Sequence, residues 1–264
     1  MKILALETSS QACSVALLDG MQQDFSCIER FEIAPRRHTH LILPMIDSVL
    51  SEAGYDIKQI DVLAFGRGPG AFTGVRIATG VVQAISYGAD LPVAQISSLA
   101  AIAQGFFRRQ LRSQSSLETQ ALEASSEPVA KILVANDARM HEVYFGAYEL
   151  HGTFMTLTGK EQVIKPDQLS IFLQQPDTAI HLDKNWYTLG SGWSEYAEQL
   201  HAVSSQCQAV ATENEQFDLP HARDIAYLAF KAVANKELVS AELASPVYLR
   251  DNVAKKSQGS LQSN

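Results

Sequence analysis

The sequence predicts an α/β protein of two related lobes, and three observations carry that prediction. The chain opens on apolar strands before any helix appears. A buried strand, a glycine-rich loop and a helix then follow one another between residues 61 and 87. Finally the pattern restarts. Lys131-Ile-Leu-Val-Ala135 and the turn at Asn136-Asp137 echo Lys2-Ile-Leu-Ala-Leu-Glu7, and Trp186-Tyr-Thr-Leu-Gly190-Ser191-Gly192 echoes the first glycine loop. A single repeat on this length scale means paired lobes rather than a solenoid. The expected division is a first lobe at 1–107, a mobile insertion at 108–128, a smaller second lobe at 129–245 and a tail at 246–264.

Taken in order, residues 2–7 and 12–18 read as two strands around Glu7-Thr8-Ser9-Ser10. Leu4, Ala5 and Leu6 do not alternate with polar residues, so the first strand is central and covered on both faces. Asp19-Gly20 reads as the next turn, with a third strand at 25–33. A helix then runs from about residue 39 to Ala53, and Gly54 ends it. Ile42, Ile46, Val49 and Leu50 form its core stripe, Leu41, Leu43 and Met45 make its first turns apolar almost all round, and Pro44 predicts a kink. Strand 61–66, the glycine loop, helix 74–87 and strand 91–96 follow, and Ser97 caps a helix reaching about Phe107. Residues 108–128 are rich in Ser, Gln and Glu and lack apolar periodicity. Beyond the second glycine loop lie helices at 194–200 and 222–236, the latter able to return to the first lobe, and a polar tail.

Composition narrows the function. The chain has 264 residues and a formal net charge of −8, so it repels phosphate backbones and any RNA role needs a basic partner. Its three cysteines form no CxxC, which suits a reducing cytosol, and no stretch reads as a signal peptide or a membrane span. His38 and His40 are two residues apart and cannot chelate together, and neither HExxH nor HxxxH occurs, so no metal or cofactor is expected.

The loop Gly66-Arg67-Gly68-Pro69-Gly70-Ala71-Phe72-Thr73-Gly74 demands unusual backbone, with Pro69 biasing Gly68 towards extended geometry. It lacks the Gly-Lys-Ser/Thr of a phosphate loop. The acidic residue a dinucleotide fold places after its second strand is also missing, because Asp90 precedes that strand. Either the loop holds an anion, with Arg67 and Arg76 as clamps, or its glycines let helix and sheet pack closely. Glu7, Thr8, Ser9 and Asp137 sit where a nucleotide cleft between lobes would place them. The simpler roles are turn acceptor for Glu7 and ion-pair partner of Arg139 for Asp137.

Six runs together resemble the TsaB (YeaZ) family: Leu4-Ala-Leu-Glu-Thr-Ser-Ser, Ala34-Pro-Arg-Arg-His-Thr39, Leu43-Pro-Met, Phe65-Gly-Arg-Gly-Pro-Gly-Ala-Phe-Thr-Gly-Val-Arg76, Asp137-Ala-Arg-Met and Pro246-Val-Tyr-Leu-Arg250. The resemblance implies an ASKHA (actin/Hsp70/sugar-kinase-like) fold of two ribonuclease-H-like lobes. It also implies a non-catalytic role, beside the catalytic paralogue TsaD and the ATPase TsaE, in forming N6-threonylcarbamoyladenosine at position 37 of ANN-decoding tRNAs. The paralogue's two metal-binding histidines fall at Ser98 and Ile102 here, so neither its metal chemistry nor the family's older peptidase label finds a residue to carry it. A small nucleotide-binding kinase of the same superfold is the alternative.

The apolar surplus of the two helices predicts a homodimer of the isolated chain, and the same surface for TsaD. The first helix would contribute Thr39, Ile42, Leu43 and Ile46, with Arg36 and His38 at its entry. The loop would contribute Arg67, Gly68, Pro69, Gly70, Phe72 and Thr73, and the second helix Arg76 and Ile77.

Overall fold

The computed structural model describes residues 1–21, 24–111, 130–176, 178, 180–209 and 218–250. Two mixed sheets organise them. The first contains β1 (Lys2–Glu7), β2 (Ala12–Met21), β3 (Asp24–Ile33), β4 (Val62–Gly66), β5 (Val93–Ile96) and the short β11 (Leu238–Val239), in the order β11-β5-β4-β1-β2-β3. The second contains β6 (Lys131–Asp137), β7 (Val143–His151), β8 (Phe154–Ile164), β9 (Trp186–Leu189) and β10 (Gln208–Ala209), in the order β10-β9-β6-β7-β8. Matching strands in chain order shows one plan used twice. In each sheet the first strand pairs antiparallel with the second and parallel with the fourth.

Strand β1 is central because both its faces are apolar. Ile3 and Ala5 point to a core beneath helix α7 (Ala222–Ala234), while Leu4 and Leu6 point to a core beneath α1 (His38–Ala53) and α2 (Phe72–Ala89). Helix α3 (Ser98–Phe106) stands between the sheets, and its Leu99, Ile102, Ala103 and Phe106 pack on Ile132, Val134 and Leu150 of the second. Ser97 caps it, accepting from the Leu99 and Ala100 amides. The outer face of the second sheet is covered by α4 (Leu169–Leu173), α5 (Gly192–Glu195) and α6 (Ala197–Ser204), over a core holding Trp186, Phe145 and Leu200.

Helix α7 belongs with the first sheet although it follows the second. Its first amides are satisfied from strands: Ala222 N donates to Ser14 Oγ and Arg223 N to Glu29 Oε1, both at 3.1 Å. Burial works to raise the Glu29 carboxyl, but His221, the Arg223 amide and Ser14 outweigh it and hold the group below its ordinary range. The fully buried Asp224 takes Arg108 in a two-bond fork, at 2.8 and 3.0 Å.

Several boundaries differ from the sequence reading. Asp19-Gly20 is no turn: β2 continues to Met21, Gly20 pairs with Phe25, and the connection falls at 22–23, outside the described residues. Gly20 keeps its place because its φ is +137° and a Cβ there would overlap Asp24 O. Helix α2 starts at Phe72 rather than at 74, and the helix expected at 194–200 divides at Tyr196, whose hydroxyl is drawn to Asp137. Residues 108–111 belong to a π-helical turn after α3, because Arg108 is anchored on Asp224. The rest of the expected insertion, like the polar tail beyond residue 250, lies outside the described residues.

Candidate functional site

Two of the family-like runs, 34–39 and 65–76, close on a third at the turn between β1 and β2. Glu7 is fully buried there; it accepts from the Ser9 amide and, at 2.8 Å, from the Ser98 hydroxyl. Burial raises its carboxyl above the ordinary range, and the Ser9 and Ser98 hydrogen bonds only partly offset this. Thr8 Oγ1 donates to Gly74 O at 2.7 Å and accepts from Ala78 N at 3.2 Å, tying the turn to α2. Ser9 Oγ donates to Ser98 Oγ at 3.0 Å, and Ser9 O accepts from Ala71 N at 2.7 Å.

The glycines explain themselves at these contacts. A Cβ on Gly66 would overlap the Glu7 carboxylate, one on Gly70 would press on Ser9, and one on Gly74 would overlap Thr8 O. They let the loop close down on the turn, so the backbone that could have cradled a phosphate packs on protein instead. Gly68 is not extended. Its peptide to Pro69 is cis and its φ is +94°, a conformation open to glycine because no Cβ is present.

The second lobe repeats the device. Gly190 and Gly192 close on Ala135, where a Cβ on either would crowd the carbonyl, and Ser191 N donates to Asn136 Oδ1 at 3.2 Å. Asp137 pairs with Arg139 at 2.9 Å and accepts from Tyr196 at 2.9 Å. Arg139, Met140 and His141 then run left-handed in succession, with φ of 62°, 58° and 58°. Each such residue costs about 1 kcal/mol or more, so the turn persists only because its surroundings hold it.

The expected interface residues divide. His38 is buried with Nε2 donating towards Ser10 O at 3.0 Å and Ala12 O at 3.1 Å, so it anchors α1 on the turn instead of rimming a surface. Ile42 is 1% exposed and Ile46 is buried in the core beneath α1; their stripe is spent on the chain's own sheet. Gly68 and Pro69 are buried, and Arg67, Gly70 and Ile77 are half-buried. Arg36, Thr39, Leu43, Phe72, Thr73 and Arg76 face outward, with Leu43 57% exposed. At the far end of α2, Gly80 and Tyr87 join Ala84 and Gly88 on one side of the helix, and Tyr87 is 80% exposed. A Cβ on Gly80 or Gly88 would meet nothing within 4 Å, and the spacing of four was the signal that could have found Gly80.

Ser98 is held by Glu7, and Ile102 sits in apolar core between the sheets, so neither position offers a metal ligand. Among the described residues no helix is long and apolar enough to cross a membrane.

Two lobes with one strand plan, each with its hairpin turn closed by a glycine loop, define a protein of the ASKHA (actin/Hsp70-like) fold. A family model described as TsaD, tRNA N6-adenosine threonylcarbamoyltransferase, matches residues 31–258. The tRNA threonylcarbamoyladenosine biosynthesis protein TsaB of Escherichia coli is 36% identical over 260 residues, covering 96% of both chains. That of Haemophilus influenzae is 37% identical, covering 95% of this chain and 94% of its own. The solved structure of YeaZ from Pseudomonas aeruginosa superposes with a TM-score of 0.73 at 39% identity, over 94% of this chain and 99% of that one. A second Pseudomonas aeruginosa structure, described as similar to peptidase YEAZ, gives 0.74. The chain belongs to the TsaB (YeaZ) family.

Proposed function

We propose that the chain is a non-catalytic subunit in the biosynthesis of tRNA threonylcarbamoyladenosine. It holds the transferase paralogue TsaD on the outer faces of α1 and α2, with TsaE joining the pair, and it pairs with a second copy of itself when alone. The observation that carries this reading is the outer stripe of α2. Glycine inside a helix is unfavourable, and among the described residues Gly80 and Gly88 find no neighbour that requires them. A small-residue stripe beside exposed Tyr87 suits close approach of another helix, and Leu43 is exposed on α1. The engagement of Glu7, Thr8 and Ser9 inside the fold, and the residues at 98 and 102, support a scaffold role over chemistry of the chain's own.

Leu43 and Ile42 separate the surface from the core. Leu43→Asp is expected to stay folded by circular dichroism, run as a monomer by light scattering, and lose the transferase in titration calorimetry. Ile42→Asp is expected to unfold, because it would bury an unpaired carboxylate at a cost of several kcal/mol. A Leu43→Asp chain that dimerises and binds the transferase as wild type does would overturn the reading.

A further inference from the structure

Residues 244–250 contain no helix or strand, yet they cross from the first sheet to the second. On the first lobe they are fixed by the Gln83 amide donating to Ala244 O at 2.7 Å and by Ser245 N donating to Gln95 Oε1 at 2.9 Å. Val247 N then donates to Arg67 O at 2.8 Å, above the glycine loop. On the second lobe the anchor is Arg250. Its Nε donates to Glu142 Oε2 at 2.9 Å, and its Nη2 reaches Glu142 as well as Ala138 O at 3.1 Å and Arg139 O at 3.3 Å. Between the two anchors stands Tyr248, 45% exposed, its ring centroid 5.8 Å from that of Phe72. The Arg76 guanidinium lies 3.3 Å over the Phe72 ring and 5.3 Å from the Tyr248 ring.

We propose that Arg250 is a positioning residue of the partner surface: its fork on the Asp137–Glu142 turn stretches this strap so that Tyr248 completes an exposed platform with Phe72 and Arg76. The inference rests on the reading that the outer face of α2 receives the transferase. A half-exposed ring on a segment without regular structure holds one position only if both of its ends are tied. Arginine suits the second tie because one planar group reaches a carboxylate and two carbonyls together, which the point charge of lysine does not. The platform also joins the surface of one lobe to the left-handed turn of the other, where Met140 is 68% exposed. The apolar rings beside the guanidinium of Arg76, with Met140 against Arg250, fit an acidic segment of the partner protein that carries an apolar side chain. The net charge of −8 disfavours RNA as the occupant.

A double-mutant cycle on the full chain tests this, with transferase affinity from titration calorimetry and Tm read alongside. Tyr248→Ser is expected to weaken binding about tenfold with Tm unchanged, as an exposed interface anchor does. Arg250→Ala should weaken it by a similar factor, Arg250→Lys should restore part of the loss, and the double variant should bind no worse than Tyr248→Ser alone. Hydrogen exchange at the Val247 amide should quicken in Arg250→Ala. Losses that multiply in the double variant, or an Arg250→Ala chain that binds as wild type does, would overturn the proposal while leaving the proposed function standing. A wild-type chain that ignores the transferase would instead sink the proposed function, and this partner with it. Tyr248→Ser and Arg250→Ala weakening tRNA binding, with transferase affinity unchanged, would give the platform to RNA and overturn the protein partner.

Discussion

Glu7 is a wholly buried carboxyl whose hydrogen-bond partners are the Ser9 amide and the Ser98 hydroxyl. Since burial raises its pKa, the folded chain holds that proton more tightly than the unfolded chain does. Its contribution to stability is therefore present at low pH and lost as pH rises through the raised value. Glu7→Gln keeps an acceptor for Ser9 and puts a donor against the Ser98 oxygen, with nothing left to ionise. Its Tm is expected to exceed that of wild type by a margin that widens from about pH 4 to about pH 8. A margin constant across that range would mean that folding does not raise the pKa of Glu7. The buried thiols tell a simpler story: burial pushes Cys13 up to about 12 and Cys207 up to about 11, which leaves both unreactive at neutral pH. Glu7 as a turn acceptor was legible from Glu7-Thr-Ser-Ser; its second partner, 91 residues away, was not.

At the scale of elements, α2 carries an apolar face towards its sheet and a small-residue stripe away from it. The two make opposite demands on one position. Gly80→Ala puts a Cβ into open space in a helical conformation, so the isolated chain should gain about 0.5–1 kcal/mol in urea unfolding. The same methyl should hold a partner helix away and lower the affinity of both assemblies. An unchanged affinity would place the contact elsewhere on the helix. The start of α7 shows the reverse case, an element whose cap is foreign to it. No motif at 218–224 announces a helix start fixed by Ser14 and Glu29, because the acceptors come from β2 and β3.

The whole molecule is one strand plan built twice and tied by α3, α7 and the strap at 244–250. Its acidity makes a prediction at that scale. Labelled tRNA titrated with the isolated chain at about 50 mM salt should show no saturable rise in anisotropy, because binding there needs cationic contacts that the chain as a whole lacks. Saturable binding that weakens steeply with added salt would reveal a basic face that the net charge conceals.

What the sequence determined by itself is the periodic part of the protein. The central strand followed from unbroken apolar residues at 3–6, α1 from its stripe and Gly54, and the doubling of lobes from the echo of residues 2–7 at 131–137. These are local signals, because a strand or helix must show its apolar pattern wherever it finally packs. The core stripe of α1 was legible too, because Ile42 and Ile46 recur at helical spacing. That the sheet uses both completely and leaves Leu43 in water was decided by how the helix packs. The purpose of the loop glycines was open, since a phosphate and a buried turn ask for the same lack of a Cβ. The tertiary structure brings Thr8, Ser9 and Glu7 against that loop, at contacts whose energies depend on distances the chain sets only once it is folded.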